Sequence, residues 1–464
     1  MTIEDHPGEG CHSLQAGNVN HNAIECFMVM AGKAATSDGS VMIAHNLELS
    51  DPEVSLIEKH PAVKHPPGAE FVFPTGLTIP EVAETYEWIV LRIHKSLSSN
   101  AVAINEHGVS LGGGLNLMKD LNPKAIAADP AVAKGACGSA RYVALVRART
   151  AREAVLNLGE LYTQYGSEYQ CAVAYADRDE IWYIESGGGR SWAAVRVPED
   201  RVWVQANAFR IAEIDPSDTA NTLTSPGLLA FARDNGLWDP VEGKFDFRKA
   251  FGGRSRGIGK NEMREWRAMD LLSPSSGFER GALHFPMTCV PDEKVNLPRL
   301  FAILRDQEYM GTYQNDDGRA IEIRIGSNRI IHSDVVQLRR DMPVDIGAVM
   351  WSALSIPTTG IYLPFYFGVK DVPPAYGTGL RDDGAAHFVY KDLHRALQSG
   401  KGDGAAGELR ALETSLLENQ AQFEAAMLDL FARDKDAARR ALTEHIHNVS
   451  NQSLEKAAAG CTAR

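Results

Sequence analysis

Residues 26–48, CFMVMAGKAATSDGSVMIAHNLE, constrain this chain more than any other stretch. Cys26, Phe27, Met28, Val29 and Met30 form a continuous apolar, β-prone run, and Val41, Met42, Ile43 and Ala44 form a second. Between them stands Thr36-Ser37-Asp38-Gly39-Ser40, in which Asp-Gly supplies the positive φ a hairpin turn wants. The pattern predicts two antiparallel strands with their outer ends side by side. Cys26 then lies beside His45, Asn46 and Glu48, so a thiol, an imidazole and a carboxylate share one sheet end.

By spacing alone, Cys26 reads as a small buried hydrophobe, as most free cysteines are. The order Cys, apolar run, GK-x-AT-x-DGS, apolar run, x-N-x-acid resembles the mature N-terminus of the bacterial dipeptidase and secernin family. Those are cysteine-type N-terminal-nucleophile (Ntn) hydrolases, more distantly related to penicillin acylase and bile-salt hydrolase. The resemblance implies that 1–25 is a propeptide and that Cys26 becomes the first residue. Read without it, 1–25 is a polar tail with no periodicity. Three positions depart from the family pattern: His45 stands where Arg or Lys is usual, Glu48 where Asp is usual, and Phe27 where Thr or Asp is commoner.

Composition narrows the function classes. With 44% hydrophobic and 23% charged residues, the chain has the make-up of a globular protein able to bury a large core. A net charge of −13 disfavours nucleic acid and anionic membrane as partners. No apolar run approaches the roughly 20 residues of a membrane span, and 1–25 lacks the order of a secretory signal, so a cytoplasmic location is expected. Six scattered cysteines without a CxxC read as reduced thiols. The histidines form no ligand signature; His445 and His447, two apart, fall on different helix faces, so neither metal nor cofactor is expected.

Further along, Asn105-Glu106-His107-Gly108-Val109 reads as a turn into a strand carrying Gly112-Gly113-Gly114-Leu115-Asn116. A glycine run in a strand marks a bulge or a close backbone approach; a simple turn, with Asn116 a turn residue, is the alternative. Apolar spacing predicts a helix over 138–165, then strands over 171–176, 180–185, 192–197 and 201–207. The block IWYIESGGGRSWAAVRVPEDRVWVQAN resembles the dipeptidases closely, and that resemblance makes Asn207 an oxyanion donor. Arg264 and Arg267 lie three apart on a helix over 261–272. Related hydrolases use an arginine there, and Arg267 is the first choice; a solvated face pairing with Glu262 or Asp270 is the alternative. The glycine-rich stretch 251–259 lacks the strand and GK[ST] of a phosphate loop. Helices are expected over 295–306 and throughout the final third, strands over 320–325, 329–332, 333–338 and 344–354. The apolar stripe of the last helices suits core packing or a homo-oligomer.

The resemblance therefore implies an α+β fold: a four-layer αββα Ntn-hydrolase domain over 26–395, followed by a C-terminal helical segment over 396–464. The expected catalytic residues are Cys26, Asn207, Asn116 and Arg267, with His45, Glu48 and Arg264 binding substrate. The implied reaction is hydrolysis of a small amide, a dipeptide first and an N-acyl amino acid second. A secernin-like binding protein is the alternative of another class. The chemistry is coherent, because a thiol of pKa about 8.5 needs a base, and a freed α-amine of pKa about 7.7–8.0 supplies one.

Overall fold

The apolar runs become strands because each is buried on both faces. A computed structural model describes residues 25–49, 53–94, 102–117, 120–253, 259–314 and 318–462. In chain order the principal strands are β1 Glu25–Ala31, β2 Val41–Glu48, β3 Ser55–His60, β4 Trp88–Ile93, β5 Val102–Asn105, β6 Ser110–Asn116, β7 Cys171–Ala176 and β8 Ile181–Gly188. They continue with β9 Ser191–Val197, β10 Val202–Gln205, β11 Thr222–Thr224, β12 Thr288–Cys289, β13 Ile330–Leu338, β14 Ala348–Leu354 and β15 Leu363–Tyr366. The helices that matter below are α1 Ala140–Leu145, α2 Ala151–Tyr165, α3 Lys260–Leu272, α4 Leu297–Leu304, α5 Ala386–Gln398, α6 Asp403–Arg433 and α7 Lys435–Thr462.

Two large antiparallel sheets result. The first runs β12-β10-β1-β2-β13-β14-β15, with the hairpin near its centre; the second runs β11-β9-β8-β7-β6-β5-β4-β3. Side-chain alternation in the second sheet assigns its two faces. Ile89, Leu91, Ala172 and Ala174 join the core shared with the first sheet. Val90, Val173 and Tyr175 join a separate core with Val143, Val155 and Leu158 of α1 and α2. On the first sheet, α4 lies against β2 and β13, while α5 and α7 lie against β14 and β15. The protein is α+β, and no helix among the described residues is long and apolar enough to cross a membrane.

The hairpin pairs Cys26 with Leu47 and Met28 with His45. Its connection is longer than a two-residue turn: Gly32, Ala34 and Ala35 are hydrogen-bonded to the 199–201 backbone before Gly39 turns the chain at φ +71°. The glycine run of β6 forms a bulge between Leu111 and Gly114. Gly113 adopts φ +87°, and a Cβ there would stand 2.9 Å from the His45 ring, so the two sheets meet closely at this point.

Several elements differ from the sequence expectation. The helix over 138–165 is two helices, because Thr150 caps a new start by accepting from the Glu153 N–H at 3.1 Å. Asn105 closes the preceding helix by donating to the carbonyls of Leu145 and Ala148 at 2.8 Å each. The two strands over 329–338 are a single strand, β13, with a bulge between Ile330 and His332. The start of 344–354 is a helical turn, Val344–Gly347, before β14 begins. The strand over 320–325 is only Ala320–Glu322, paired with Thr312–Gln314. The leader over 1–24, and most of the charged centre of the 251–259 stretch, lie outside the described residues.

The last two helices pack along each other and are tied to the body by buried charge. Glu413 of α6 takes both guanidinium arms of Arg305, at 2.7 and 2.6 Å. Glu424 of α6 is paired with Arg339 at 2.7 Å and accepts from the Tyr366 hydroxyl at 3.0 Å.

Candidate active site

Cys26 sits on β1 with no solvent exposure. Its backbone N–H donates to Oδ1 of Asn207 at 2.7 Å. The Asn207 Nδ2 donates to the Asn116 carbonyl at 3.1 Å, joining the end of β10 in one sheet to the end of β6 in the other. Burial, and then the Glu48 carboxylate, push the Cys26 thiol up to about 12, against the opposing pull of Arg264, Asn207 and Arg141. At neutral pH the thiol is therefore held protonated.

Asn207 is held in place by three acids around its loop, two of them buried. Glu185 of β8 accepts from the Arg210 and Ile211 N–H groups at 2.6 and 3.1 Å. Glu265 of α3 accepts from the Ala206 N–H at 3.1 Å, and Asp120 from the Phe209 N–H at 2.8 Å. Three carboxylates thus satisfy the backbone of one six-residue loop, which fixes where its asparagine points. Burial pushes Glu185 up to about 8 despite those donors.

The start of α3 supplies the cations. Gly259 donates its N–H to Glu262 at 3.0 Å, which closes the first turn. Arg264 then reaches Glu48 at 2.8 Å and Asn207 Oδ1 at 3.3 Å, and Asn261 donates to the Asn207 carbonyl at 3.0 Å. Arg264 and Glu48 are both about 2% exposed. Burial opposes the Arg264 charge, but Glu48 and Glu25 more than compensate and hold its pKa above the usual value. Burial, together with the Glu25 carboxylate across the strand pair, raises Glu48 against the pull of Arg264.

The structure thus brings Cys26, Asn207, Glu48 and Arg264 together, with the Asn116 carbonyl at their edge. Arg267 lies elsewhere, forked onto Asp306 at 2.9 Å through two nitrogens. His45 shares a face with Met28 and is directed into the space between the sheets, under Gly113. There Nδ1 of His45 stands 3.5 Å from Asp334, and with His332 they form a fully buried group whose potential ligand atoms lie within 4.8 Å of one another. It is the one group among the described residues with a donor set suited to a metal ion.

Four further residues escaped the sequence reading. Lys260, Tyr313 and Arg329 converge on the Glu25 carboxylate, Arg329 at 3.3 Å. Arg141 of α1, buried and hydrogen-bonded to Tyr169 at 2.9 Å, adds positive potential near the thiol. A lone arginine inside the apolar run of 140–146 is the signal that marks Arg141. Lys260, Tyr313 and Arg329 give no such signal, since their neighbours in sequence are unrelated.

Residues 25–393 match Peptidase family C69. The chain belongs to this family. It is a cysteine-type peptidase in class, and its match begins one residue before Cys26. Among curated relatives, a "Probable dipeptidase" of Salmonella dublin is 32% identical over 370 residues, covering 77% of this chain and 84% of the relative. A "Probable dipeptidase" of Latilactobacillus sakei is 28% identical over 365 residues, covering 76% of each. A "Probable dipeptidase B" of Streptococcus pyogenes serotype M1 is 24% identical over 468 residues and spans 96% of this chain and 92% of its own. This last alignment extends over the C-terminal helices that the family match leaves out.

Proposed function

We propose that the chain is a self-processed Ntn hydrolase of the four-layer αββα type, which cleaves dipeptides through a thioester on Cys26. Two facing sheets, flanked by α1–α2 on one side and α4, α5 and α7 on the other, support that layer order. The names of the relatives, probable dipeptidases, support the dipeptide. The observation that carries the mechanism is the 2.7 Å bond between the Cys26 nitrogen and Asn207, because that nitrogen has a purpose-built acceptor waiting beside the thiol.

In the uncleaved chain this nitrogen is a non-basic amide. Attack of Sγ on the Glu25 carbonyl breaks the Glu25–Cys26 C–N bond and leaves a thioester, which one water hydrolyses. The new α-amine then takes the thiol proton. The thiolate attacks the substrate carbonyl, and the Asn207 Nδ2, with the Asn116 segment, holds the oxyanion. As the C–N bond breaks, the amine passes its proton to the leaving nitrogen. Water, activated by the same amine, attacks the thioester and restores the thiol. Loss of the leader also removes the Glu25 carboxylate that raises Glu48. Glu48, anchored by Arg264, then orients ammonium groups at the site.

Intact mass tests this reading: the active protein starts at Cys26, and Cys26→Ala stays uncut. A fully active wild-type protein that still carries residues 1–25 would overturn it.

A further inference from the structure

The side chain of Glu25 is the most informative ligand in the structure, because it belongs to the residue whose carbonyl Cys26 must attack. It is buried at 5% exposure, and among the described residues Lys260, Tyr313 and Arg329 donate to its carboxylate, while Glu48 faces it across the strand pair. Lys260 Nζ and the Tyr313 hydroxyl both donate to Oε1, and Arg329 Nη1 reaches the same oxygen at 3.3 Å. Arg329 also lies 3.3 Å from the Tyr313 hydroxyl, so the donors form one connected cluster. They come from three separate places: the first turn of α3, the Thr312–Gln314 ribbon and the approach to β13. Such convergence on one carboxylate is a built recess.

Charge makes the recess more than a docking point for the leader. Lys260, Arg264 and Arg329 face Glu25 and Glu48, three cations against two anions. When Glu25 departs, three cations remain against Glu48 alone. A net positive charge of this kind in a half-buried recess is costly and favours an incoming anion. Arg329 also lines a cavity of about 220 Å³ whose other walls mix Asn328, Ser355, His387 and Lys391 with apolar leucine and isoleucine side chains.

We propose that this recess is the side-chain pocket for the acyl residue of the substrate, and that it selects dipeptides whose N-terminal residue carries a carboxylate, glutamyl first and aspartyl second. The inference rests on the self-processing dipeptidase reading above. The same Sγ attacks the Glu25 carbonyl once and the substrate carbonyl thereafter, so the residue bearing each carbonyl lies on the same side of the sulfur. Glu25 is then a picture of the acyl half of the substrate. Lys260, Tyr313 and Arg329 become specificity residues, while Arg264 stays with Glu48.

The test compares kcat/KM of the mature protein for Glu-Ala, Asp-Ala, Gln-Ala, Leu-Ala and Lys-Ala, with intact mass recorded on the same sample. Glu-Ala is expected to exceed its isostere Gln-Ala by about 10- to 100-fold, the range for hydrogen bonds to a charged group. Lys-Ala is expected to be poorest. Free glutamate should inhibit competitively and glutamine weakly, which reads the pocket without any mutation. In Lys260→Met and Arg329→Gln the Glu-Ala to Gln-Ala ratio should collapse. Equal or better cleavage of Gln-Ala or Leu-Ala by a chain that begins at Cys26 overturns the pocket and leaves the dipeptidase reading intact; the cations then serve the leader alone. No cleavage of any dipeptide by that processed chain overturns the dipeptidase reading, and the pocket with it.

Discussion

The backbone N–H of Cys26 donates to the side chain of Asn207 at 2.7 Å across 181 positions of sequence. Cys26 lies on β1 and Asn207 two residues beyond the end of the adjacent strand β10, the two strands being paired from Met28–Gln205 to Ala31–Val202. Cys26 is thereby fixed against Asn207 by backbone register, and the loop after β10 needs only to aim one amide.

Cleavage should follow the thiol. Wild-type protein is expected to lose residues 1–25, and Cys26→Ala to keep them, as read by intact mass. Cys26→Ser should lose most turnover even if it is cut, because a hydroxyl is much harder to ionise than a thiol.

Asn207→Ala should lower kcat by about 100- to 1000-fold, the usual loss on removing one oxyanion donor. Its melting temperature should change little, because the loop is held by Glu185, Glu265 and Asp120 through backbone N–H groups. Unchanged kcat with a lower melting temperature would make Asn207 a structural residue.

The Glu48–Arg264 pair is expected to behave as a buried unit. Arg264→Met leaves a carboxylate uncompensated and should cost about 3–5 kcal/mol in denaturant unfolding, the usual penalty for breaking a buried pair from one side. Adding Glu48→Gln to Arg264→Met should recover part of that loss. Glu48→Gln alone should raise KM for free dipeptides more than for their N-acetyl forms. A wild-type preference for the N-acetyl compound would favour the acylase reading.

Glu185 offers a pH test with a defined sign. Its pKa is raised from 4.5 to about 8 in the folded protein. The folded state therefore binds this proton more tightly than the unfolded chain does. The resulting stability is full below about 4.5 and is lost as pH rises towards about 8. Glu185→Gln cannot titrate. The melting temperature of wild type minus that of Glu185→Gln should fall steadily from pH 5 to 8 and level off above. A difference that is flat with pH would show that Glu185 is ionised throughout.

Gly113→Ala should destabilise strongly. It places a Cβ 2.9 Å from the His45 ring on a backbone at φ +87°. Replacing Gly39, which has the same φ sign but open space around it, should cost far less. Thermal melts of the two variants make the comparison.

How much of this was legible depends on distance along the chain. The hairpin was readable because its two apolar runs and its turn lie within 23 residues and obey local rules. The long C-terminal helices were readable for the same reason. The split at Thr150 was harder, because the carbonyls of the first helix are closed by Asn105, which lies outside the window that periodicity inspects. The acid cradle of the 206–211 loop and the recess around Glu25 are tertiary. Lys260, Tyr313 and Arg329 are surface-type residues in three unrelated segments, and only the fold makes them neighbours. Arg264 and Arg267 show the limit of helical spacing: three positions apart, one meets Glu48 and the other Asp306.

The two buried acids of α6 bear on when this protein can begin to work. Arg305 and Arg339, set in the framework around the hairpin, wait for Glu413 and Glu424, which the ribosome adds more than a hundred and about eighty-five positions later. Until then each guanidinium lacks its counter-charge and the β15 side of the first sheet lacks its helical cover. A nascent chain halted before α6 holds Cys26 and Asn207 in sequence but not the finished scaffold that aligns them. The scaffold that aligns them is complete only once α6 has been made and packed, so a chain cut before Asp403 is expected to be inactive.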